Sequence, residues 1–483
     1  MALNPVLHIL GILLSVLAAT MLIPTAVDYY YGNADWQAFL VSFAITLFFG
    51  LGLLLSTRLR HSETSFGLKQ AFLLTNGAWV GIGIFGALPF MLSSTGMGIT
   101  DAVFESVSGV TTTGSTVIAH LESMSHGILI WRALLQWLGG IGIIVMALAV
   151  LPILNIGGMQ LFRTEAYDNP DKVIPRAAEL AGGIFSVYAS LTAIWGVMLM
   201  LAGMPVFDAI AHAMTTIATG GFSTRTESVG AFGNLSVEIL VVLGMIVGSL
   251  PFAHYMALTR GGWRRLLLDP QVRWFMSMAL GVSIIITYLL VASHDFSILA
   301  AIRFAIFNTV SVMTGTGYSS ADFSLWGGSV SVILLIAMFI GGCAGSTTCG
   351  VKMFRLQVLA ATARVQLAHL LRPHAVAVAY YNRRPIPEGV MNAVMGFFYL
   401  YILSFVVIAI LLGLTGLDFE TSLSAAATSI SNVGPGLGPV IGPGGSFAPL
   451  TQAAKWIMAV AMILGRLELF TVLVMLMPGF WKR

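Results

Sequence analysis

Four times along this chain a short glycine phrase interrupts apolar sequence, and that recurrence limits the possible folds more than any other feature. It reads Thr111-Thr112-Thr113-Gly114-Ser115-Thr116, then Thr219-Gly220-Gly221-Phe222-Ser223, Gly315-Thr316-Gly317-Tyr318-Ser319 and Asn432-Val433-Gly434-Pro435-Gly436. Aligned on Gly114, Gly221, Gly317 and Gly434, the copies stand 107, 96 and 117 residues apart. A hydroxyl residue lies six positions before each glycine (Ser108, Thr215, Ser311, Thr428), and an apolar one four before it (Val110, Ile217, Met313, Ile430). Thr116, Ser223 and Ser319 come two positions after; Gly436 is the exception. Self-similarity at such intervals predicts four copies of one supersecondary unit.

The setting of those units is a membrane. Of 483 residues, 57% are hydrophobic and 9% charged, against about 25% charged in a soluble domain. Ten apolar stretches approach the roughly 20 residues that cross a bilayer: 6–23, 39–55, 71–92, 128–154, 184–201, 239–258, 275–291, 330–342, 397–414 and 456–476. The first lacks a basic start and an A-x-A site, so it reads as a retained helix and not a signal peptide. The two cysteines, Cys343 and Cys349, imply no disulfide framework.

Charge sets the orientation. Eighteen of the 23 basic residues fall on one side of a ten-span arrangement. They are Arg58, Arg60 and Lys69; Arg163, Lys172 and Arg176; Arg260, Arg264, Arg265 and Arg273; Lys352, Arg355, Arg364, Arg372, Arg383 and Arg384; and Lys482 with Arg483. The positive-inside rule makes that side cytoplasmic, with both termini on it. The glycine phrases then enter from the outer side. The first two spans, joined by 24–37, carry no phrase and form an appendage. The expected division is 1–60 for that appendage and 61–165, 166–265, 266–375 and 376–483 for the four units.

Each phrase follows a short helix-compatible run: 101–110, 208–217, 300–313 and 418–430. Ten helical residues cover about 15 Å, half a bilayer core, so such a segment dips in and returns. Asp101, Asp208 and Asp418 suit N-caps or first turns, whereas Arg303 takes the comparable place in the third unit. Each unit has two full crossings, so successive units enter the membrane the same way round. Four parallel copies can surround a pseudo-fourfold axis; inverted-repeat transporters need an odd number of crossings per unit. The expected fold is thus all-α, with four span–pore-loop–span repeats around a central pore and two extra N-terminal spans.

Extended backbone at membrane depth is tolerated where it lines water or is buried in protein. Four such loops can present carbonyl oxygens that replace a potassium ion's hydration shell, and half-helices ending at them aim negative dipole ends at a cation. The phrases contain no charged side chain, which favours a monovalent over a divalent ion. The plainer alternative is helix packing by small residues, though four copies in register argue against it. The expected ion-binding residues are Thr112, Thr113 and Gly114; Thr219, Gly220 and Gly221; Gly315, Thr316 and Gly317; Asn432, Val433 and Gly434.

These phrases, the span–loop–span units, the extra N-terminal pair and the run Ser431-Asn432-Val433-Gly434-Pro435-Gly436 resemble the Trk/Ktr/HKT superfamily of potassium transporters over essentially the whole chain. The resemblance implies one filter glycine per unit, here Gly114, Gly221, Gly317 and Gly434. In related plant proteins a serine at the first position goes with sodium transport, so Gly114 implies potassium preference. Gly220, Thr316 and Val433 stand where the first unit has Thr113, an asymmetry that bears on selectivity over sodium.

After the eighth stretch comes Gly341-Gly342-Cys343-Ala344-Gly345-Ser346-Thr347-Thr348-Cys349-Gly350, then Val351-Lys352. So many small and polar residues would break a helix inside the membrane; an ordinary cytoplasmic turn is the alternative. The resemblance implies a Gly/Ser-rich intramembrane gate here, from which the two cysteines depart. It also implies a pathway-narrowing arginine in the last span, where Arg466 lies; an internal Arg466–Glu468 pair fastening helices is the alternative. Arg132 reads as a structural tie or a snorkelling residue.

The nine histidines do not cluster, no metal or catalytic constellation stands out, and no Walker pattern occurs. An enzyme is therefore not expected, and nothing points to nucleic acid or a covalent cofactor. The expectation is channel-like uptake of K+, with Rb+ as a mimic, across a bacterial inner membrane. The resemblance implies a homodimer and a TrkA-like cytosolic nucleotide-binding ring as partners. The rivals are a symporter of another small solute and a sodium-permeable cation transporter.

Overall fold

Backbone polar groups in lipid find no water, so long apolar runs must close their hydrogen bonds within helices. The computed structural model describes residues 3–57, 67–150, 157–162, 173–258, 263–293, 296–374 and 376–482. Arg58, Arg60, Arg163, Lys172, Arg260 and Arg483, and the end of the fourth apolar stretch (151–154), lie outside them. Among the described residues seven helices are long and apolar enough to cross a membrane. They are Asn4–Tyr31, Trp36–Ser56, Leu68–Leu92, His126–Leu148, Ala181–Leu201, Pro270–Ser293 and Glu388–Leu414. Phe48, Leu280, Tyr288 and Ile410 project from their outer faces and are exposed in the isolated chain, as lipid-facing side chains are.

Three of the ten spans are broken: the break after the eighth was expected from its small and polar residues, and those in the sixth and the last are corrections. The sixth stops after Leu235–Ser249 and resumes as Phe252–Leu258, because Pro251 has no N–H to carry the ladder on. The eighth is Gly328–Met338, and helix returns only at Met353–Leu371. The last bends by 113° between Gln452–Arg466 and Phe470–Leu476, where Glu468 and Leu469 take φ of 58° and 50°. All three follow a glycine phrase. The fourth span, which also follows one, passes from α-helix into the π-turn Met146–Val150. The third span, before the first phrase, is interrupted only at Ala87, between Leu68–Gly86 and Leu88–Leu92; the larger breaks lie in the spans that follow the phrases.

The N-terminal pair is longer than the sequence implies. Helix runs through Pro24 to Tyr31, turns at Gly32 and restarts at Trp36, so most of the supposed link 24–37 is helical. Gly11 and Gly50 face each other too closely for a Cβ on either, the small-residue contact that lets membrane helices approach. Asp28 fastens the pair to the first unit by accepting the Gly127 N–H at 2.6 Å.

Four half-helices form where expected: Ile99–Val110, Val206–Ile217, Ile298–Met313 and Phe419–Ser431. Twelve residues span about 18 Å, too short to cross. Asp101 and Asp208 lie in first turns, while Ser297 and Asp418 are N-caps that accept N–H bonds from Ala300 and Thr421. The Thr421 bonds hold the Asp418 carboxyl below its ordinary range. Arg303 is compensated from a neighbour: its guanidinium pairs with Glu238 through two 2.7 Å bonds. Two of the basic segments meet, with Lys69 Nζ donating to Lys482 O at 2.7 Å. A small antiparallel hairpin, Tyr380–Tyr381 with Arg384–Pro385, lies in another.

Candidate functional site

Each half-helix hands over to its loop through the same backbone bond. The N–H before the aligned glycine reaches back to the residue whose hydroxyl recurs in the sequence. Thr113 bonds Ser108 O at 2.9 Å, Gly220 bonds Thr215 O at 2.8 Å, Thr316 bonds Ser311 O at 3.0 Å and Val433 bonds Thr428 O at 3.0 Å. Two residues per loop are left-handed. Thr112, Thr219, Gly315 and Asn432 have φ of 53°, 49°, 65° and 53°, and Gly114, Gly221, Gly317 and Gly434 have 88°, 79°, 80° and 112°. The residue between them keeps a negative φ in every loop. That alternation turns successive carbonyls toward one side of the chain, where a regular strand points them to opposite sides. It strains the β-branched Thr112 and Thr219 by about 1–3 kcal/mol each.

The loops meet in a closed cycle. A Cβ on Gly114 would lie under 3.0 Å from Gly220 O, on Gly221 from Thr316 O, on Gly317 from Val433 O, and on Gly434 from Thr113 O. Each aligned glycine therefore abuts the carbonyl that precedes the next one, and the fourth returns to the first. One depression takes its lining from all four loops, including Gly114, Gly221, Gly317 and Pro435. The recurrent apolar position has a reason too. The carbonyls of Val110, Ile217 and Ile430 lie where a Cβ on Gly139, Gly248 or Gly465 would come, so the following spans press on the half-helix ends.

Side chains brace the loops unequally. Thr111 and Thr113 share a 2.7 Å hydroxyl bond, as do Thr314 and Thr316. Ser108 and Ser311 each donate to the carbonyl just past the glycine, Ser115 O and Tyr318 O, at 2.6 Å. The second and fourth loops lean on neighbours. Gln136 and Arg132 donate to Gly220 O and Ser223 O at 2.5 and 2.9 Å. Asn432 Nδ2 donates to Thr113 Oγ1 at 2.8 Å and Met462 O at 2.9 Å, while Ser115 donates to Gly434 O at 2.7 Å. Gln136, Ser115 and Glu105 are site residues that sequence reasoning missed. A carboxylate in the apolar run 101–110 was the one available signal, and Glu105 accepts from Val117 N at 2.9 Å and Arg132 Nε at 2.8 Å. Arg132 is buried, which removes the snorkelling option and keeps the structural tie.

The segment 341–350 is buried apart from half-covered Gly350 and packs against the loops. Thr219 Oγ1 donates to Thr347 Oγ1 at 3.0 Å, and a Cβ on Gly315 would come 3.9 Å from Cys349 N. Its anchors lie at the breaks in the neighbouring spans. Cys343 N bonds Ser249 O at 3.0 Å, Phe252 N bonds Gly345 O at 3.0 Å, and Thr347 Oγ1 bonds Gly248 O at 2.8 Å. Lys352 is buried and donates to Thr348 O. Arg466 donates to Thr347 O at 3.1 Å, Cys349 Sγ at 2.6 Å and Gly139 O at 2.9 Å. The supposed Arg466–Glu468 pair is corrected: Glu468 pairs with Arg355, which also bonds Gly157 O at 2.8 Å. Among the described residues Arg466 has no carboxylate partner. Cys343 and Cys349 belong to no cluster of potential metal ligands among the described residues.

A family model, TrkH, described as a cation transport protein, matches residues 35–482. Trk system potassium uptake protein TrkI of Halomonas elongata is 43% identical over 482 residues, covering 99% of this chain and 97% of its own. Trk system potassium uptake protein TrkH of Vibrio parahaemolyticus is 38% identical, covering 100% of both. The crystal structure of the potassium transporter TrkH from Vibrio parahaemolyticus superposes with a TM-score of 0.91 at 37% identity, over 100% of both chains.

Proposed function

The chain belongs to the TrkH family of cation transport proteins, and from that premise we propose that it carries potassium into a bacterial cell through a channel-like path. The observation that carries this reading is the closed cycle of four glycines, each against the carbonyl preceding the next. Thr113, Gly220, Thr316 and Val433, with the residues at the left-handed positions beside them, supply main-chain oxygens to a dehydrated K+ or Rb+. The four half-helix C-termini add negative potential. The nearest buried carboxylates, Glu105 and Asp208, are already paired with Arg132 and Arg225, so the ion is held by dipoles and released readily.

The segment 341–350 is the gate. It meets the loops at Thr219 and Gly315, and Arg466 fixes it from the last span while adding an uncompensated positive charge to the path. An arginine at membrane depth costs about 2.5–3.5 kcal/mol to insert, which a gate justifies. Inward movement draws on the membrane potential, about 2.3 kcal/mol per charge per 100 mV. The protein sits in the inner membrane as four units around a pseudo-fourfold axis, termini in the cytoplasm. It works as a homodimer, and a cytosolic nucleotide-binding ring on its basic loops opens the gate by pulling 341–350 away from Arg466.

Rubidium and sodium uptake into proteoliposomes tests the reading. Preferential Rb+ uptake that loses its advantage in Gly114→Ser is expected. Transport of an unrelated solute, or a ratio untouched by that change, would contradict it. Arg466→Gln should raise Rb+ flux roughly tenfold, the effect of lowering a barrier by about 1.4 kcal/mol; unchanged flux in a folded variant would remove the arginine from the gate.

A further inference from the structure

Gly220 stands where the first and third loops carry threonine, and its backbone does not demand glycine: its φ is not positive. Space does. A Cβ at Gly220 would fall under 3.0 Å from Cδ, Oε1 and Nε2 of Gln136, so an amide from another unit fills the place of the missing side chain. Gln136 is fully buried. Its Nε2 donates to Gly220 O at 2.5 Å and its Oε1 accepts the Phe222 N–H at 3.0 Å. One planar amide thus spans Gly221 and fixes the backbone on both sides of it.

Gln136 is also the middle of a stripe. Residues four apart share a helix face, and on His126–Val145 that face presents Arg132, Gln136 and Gly140. Arg132 donates to Ser223 O at 2.9 Å, Gln136 holds Gly220 and Phe222, and a Cβ on Gly140 would meet the Ala218 Cα at 3.1 Å. Three successive positions of one helix therefore follow the second loop from its start to its end. The other residues preceding an aligned glycine are held differently. Thr113 and Thr316 bond to a threonine of their own loop, and Val433 follows Asn432, which is tied to Thr113 and Met462.

We propose that Gln136 is a specificity-determining positioning residue: it sets the direction of the Gly220 carbonyl in trans and thereby the match of the four-carbonyl ring to potassium over sodium. The proposal rests on the conduction reading above. A carbonyl with one lone pair held by a buried donor cannot swing inward to follow a smaller ion. The other three loops are braced through side chains at or beside the ring residue; without Gln136 the second loop would lose its brace on both sides of Gly221.

The test compares Rb+ and Na+ uptake in proteoliposomes for Gln136→Met, Gly114→Ser and the double variant Gly220→Thr/Gln136→Ala. Gln136→Met keeps the volume and loses both bonds; it should lower the Rb+/Na+ ratio roughly five- to tenfold, the effect of the one bond that is made to the ring carbonyl Gly220 O, while Na+ flux persists. The double variant gives the second loop the threonine of the first and third, and should recover the ratio to within about twofold of the parent on the same basis. A ratio unchanged in Gln136→Met but lowered in Gly114→Ser would overturn the role of Gln136 and leave the conduction reading standing. A ratio unchanged in both would overturn both. Equal loss of Rb+ and Na+ flux would reduce Gln136 to a structural residue. Should Gln136→Met fail to fold, the double variant decides: a recovered ratio supports the proposal and a low one overturns it.

Discussion

The first and third loops brace themselves, whereas the second borrows its bracing and the fourth adds borrowed bonds to one of its own. In the first and third, a serine six before the glycine and a threonine pair around the left-handed residue bond within the same loop. In the second, the equivalent serine is Thr215, whose hydroxyl turns to Tyr318 of the third loop at 2.5 Å, and the threonine is replaced by Gly220 with Gln136 behind it. In the fourth, Thr428 accepts the Gly434 N–H at 2.9 Å, and Asn432 reaches Thr113. All four keep the same backbone signs and the same cycle of contacts. Equivalent backbone can thus be held by unequal side chains, and the borrowed bonds are what lock neighbouring units together.

The largest effect should come from breaking the cycle that both kinds of loop share. Gly221→Ala adds a methyl at a left-handed residue, closer to Thr316 O than a Cβ on Gly114 would come to Gly220 O; it should cost more than Gly114→Ser and abolish Rb+ uptake in protein that still inserts and purifies. Normal uptake would mean that the loops do not touch as described. Next comes a borrowed brace. Arg132→Met leaves Glu105 buried without its cation, a change that costs about 3–5 kcal/mol, so the variant should melt well below the parent in detergent. A small shift in melting would show that the second loop does not depend on its neighbour.

How much of this was legible follows the same division. The half-helices begin within about two residues of the expected runs, because local pattern and capping residues specify them. The self-braced threonines were legible as a phrase. Gln136 was not: it acts 84 residues away in the chain, and nothing in helical periodicity marks one glutamine as a loop partner. The break after the eighth span was legible in its run of small and polar residues, but the sixth and last spans were counted as continuous because apolar composition measures the capacity to sit in lipid, not the continuity of the backbone. Pro251 was a readable breaker, whereas the turn at Glu468 and Leu469 has no glycine or proline to announce it. Glu468 also shows the limit of proximity in sequence: it lies two residues from Arg466 and pairs with Arg355 instead.

Two smaller effects sharpen the comparison. Thr314→Val removes the hydroxyl that bonds Ser311 O and Thr316 Oγ1 inside a self-braced loop, each bond worth about 0.5–1.5 kcal/mol. It should lower the Rb+/Na+ uptake ratio only a few-fold, and a complete loss of selectivity would put the third loop with the borrowed class. Arg303→Leu breaks a pair in which the arginine is about a third exposed and Glu238 is buried, on the side of the third half-helix. Solvent reaches the arginine, so the pair contributes less than a fully buried one; melting should fall by less than in Arg132→Met and the ion ratio should barely move, whereas a melting loss as large as in Arg132→Met would give that pair a role beyond charge compensation.

The central claim is that four backbone loops, however braced, enclose one alkali ion. An anomalous-difference map of crystals soaked in rubidium tests it most directly. The account predicts a peak on the loop axis, within coordinating distance of the carbonyl oxygens of Thr113, Gly220, Thr316 and Val433. Rubidium density only at side-chain carboxylates, with none among these carbonyls, would contradict it.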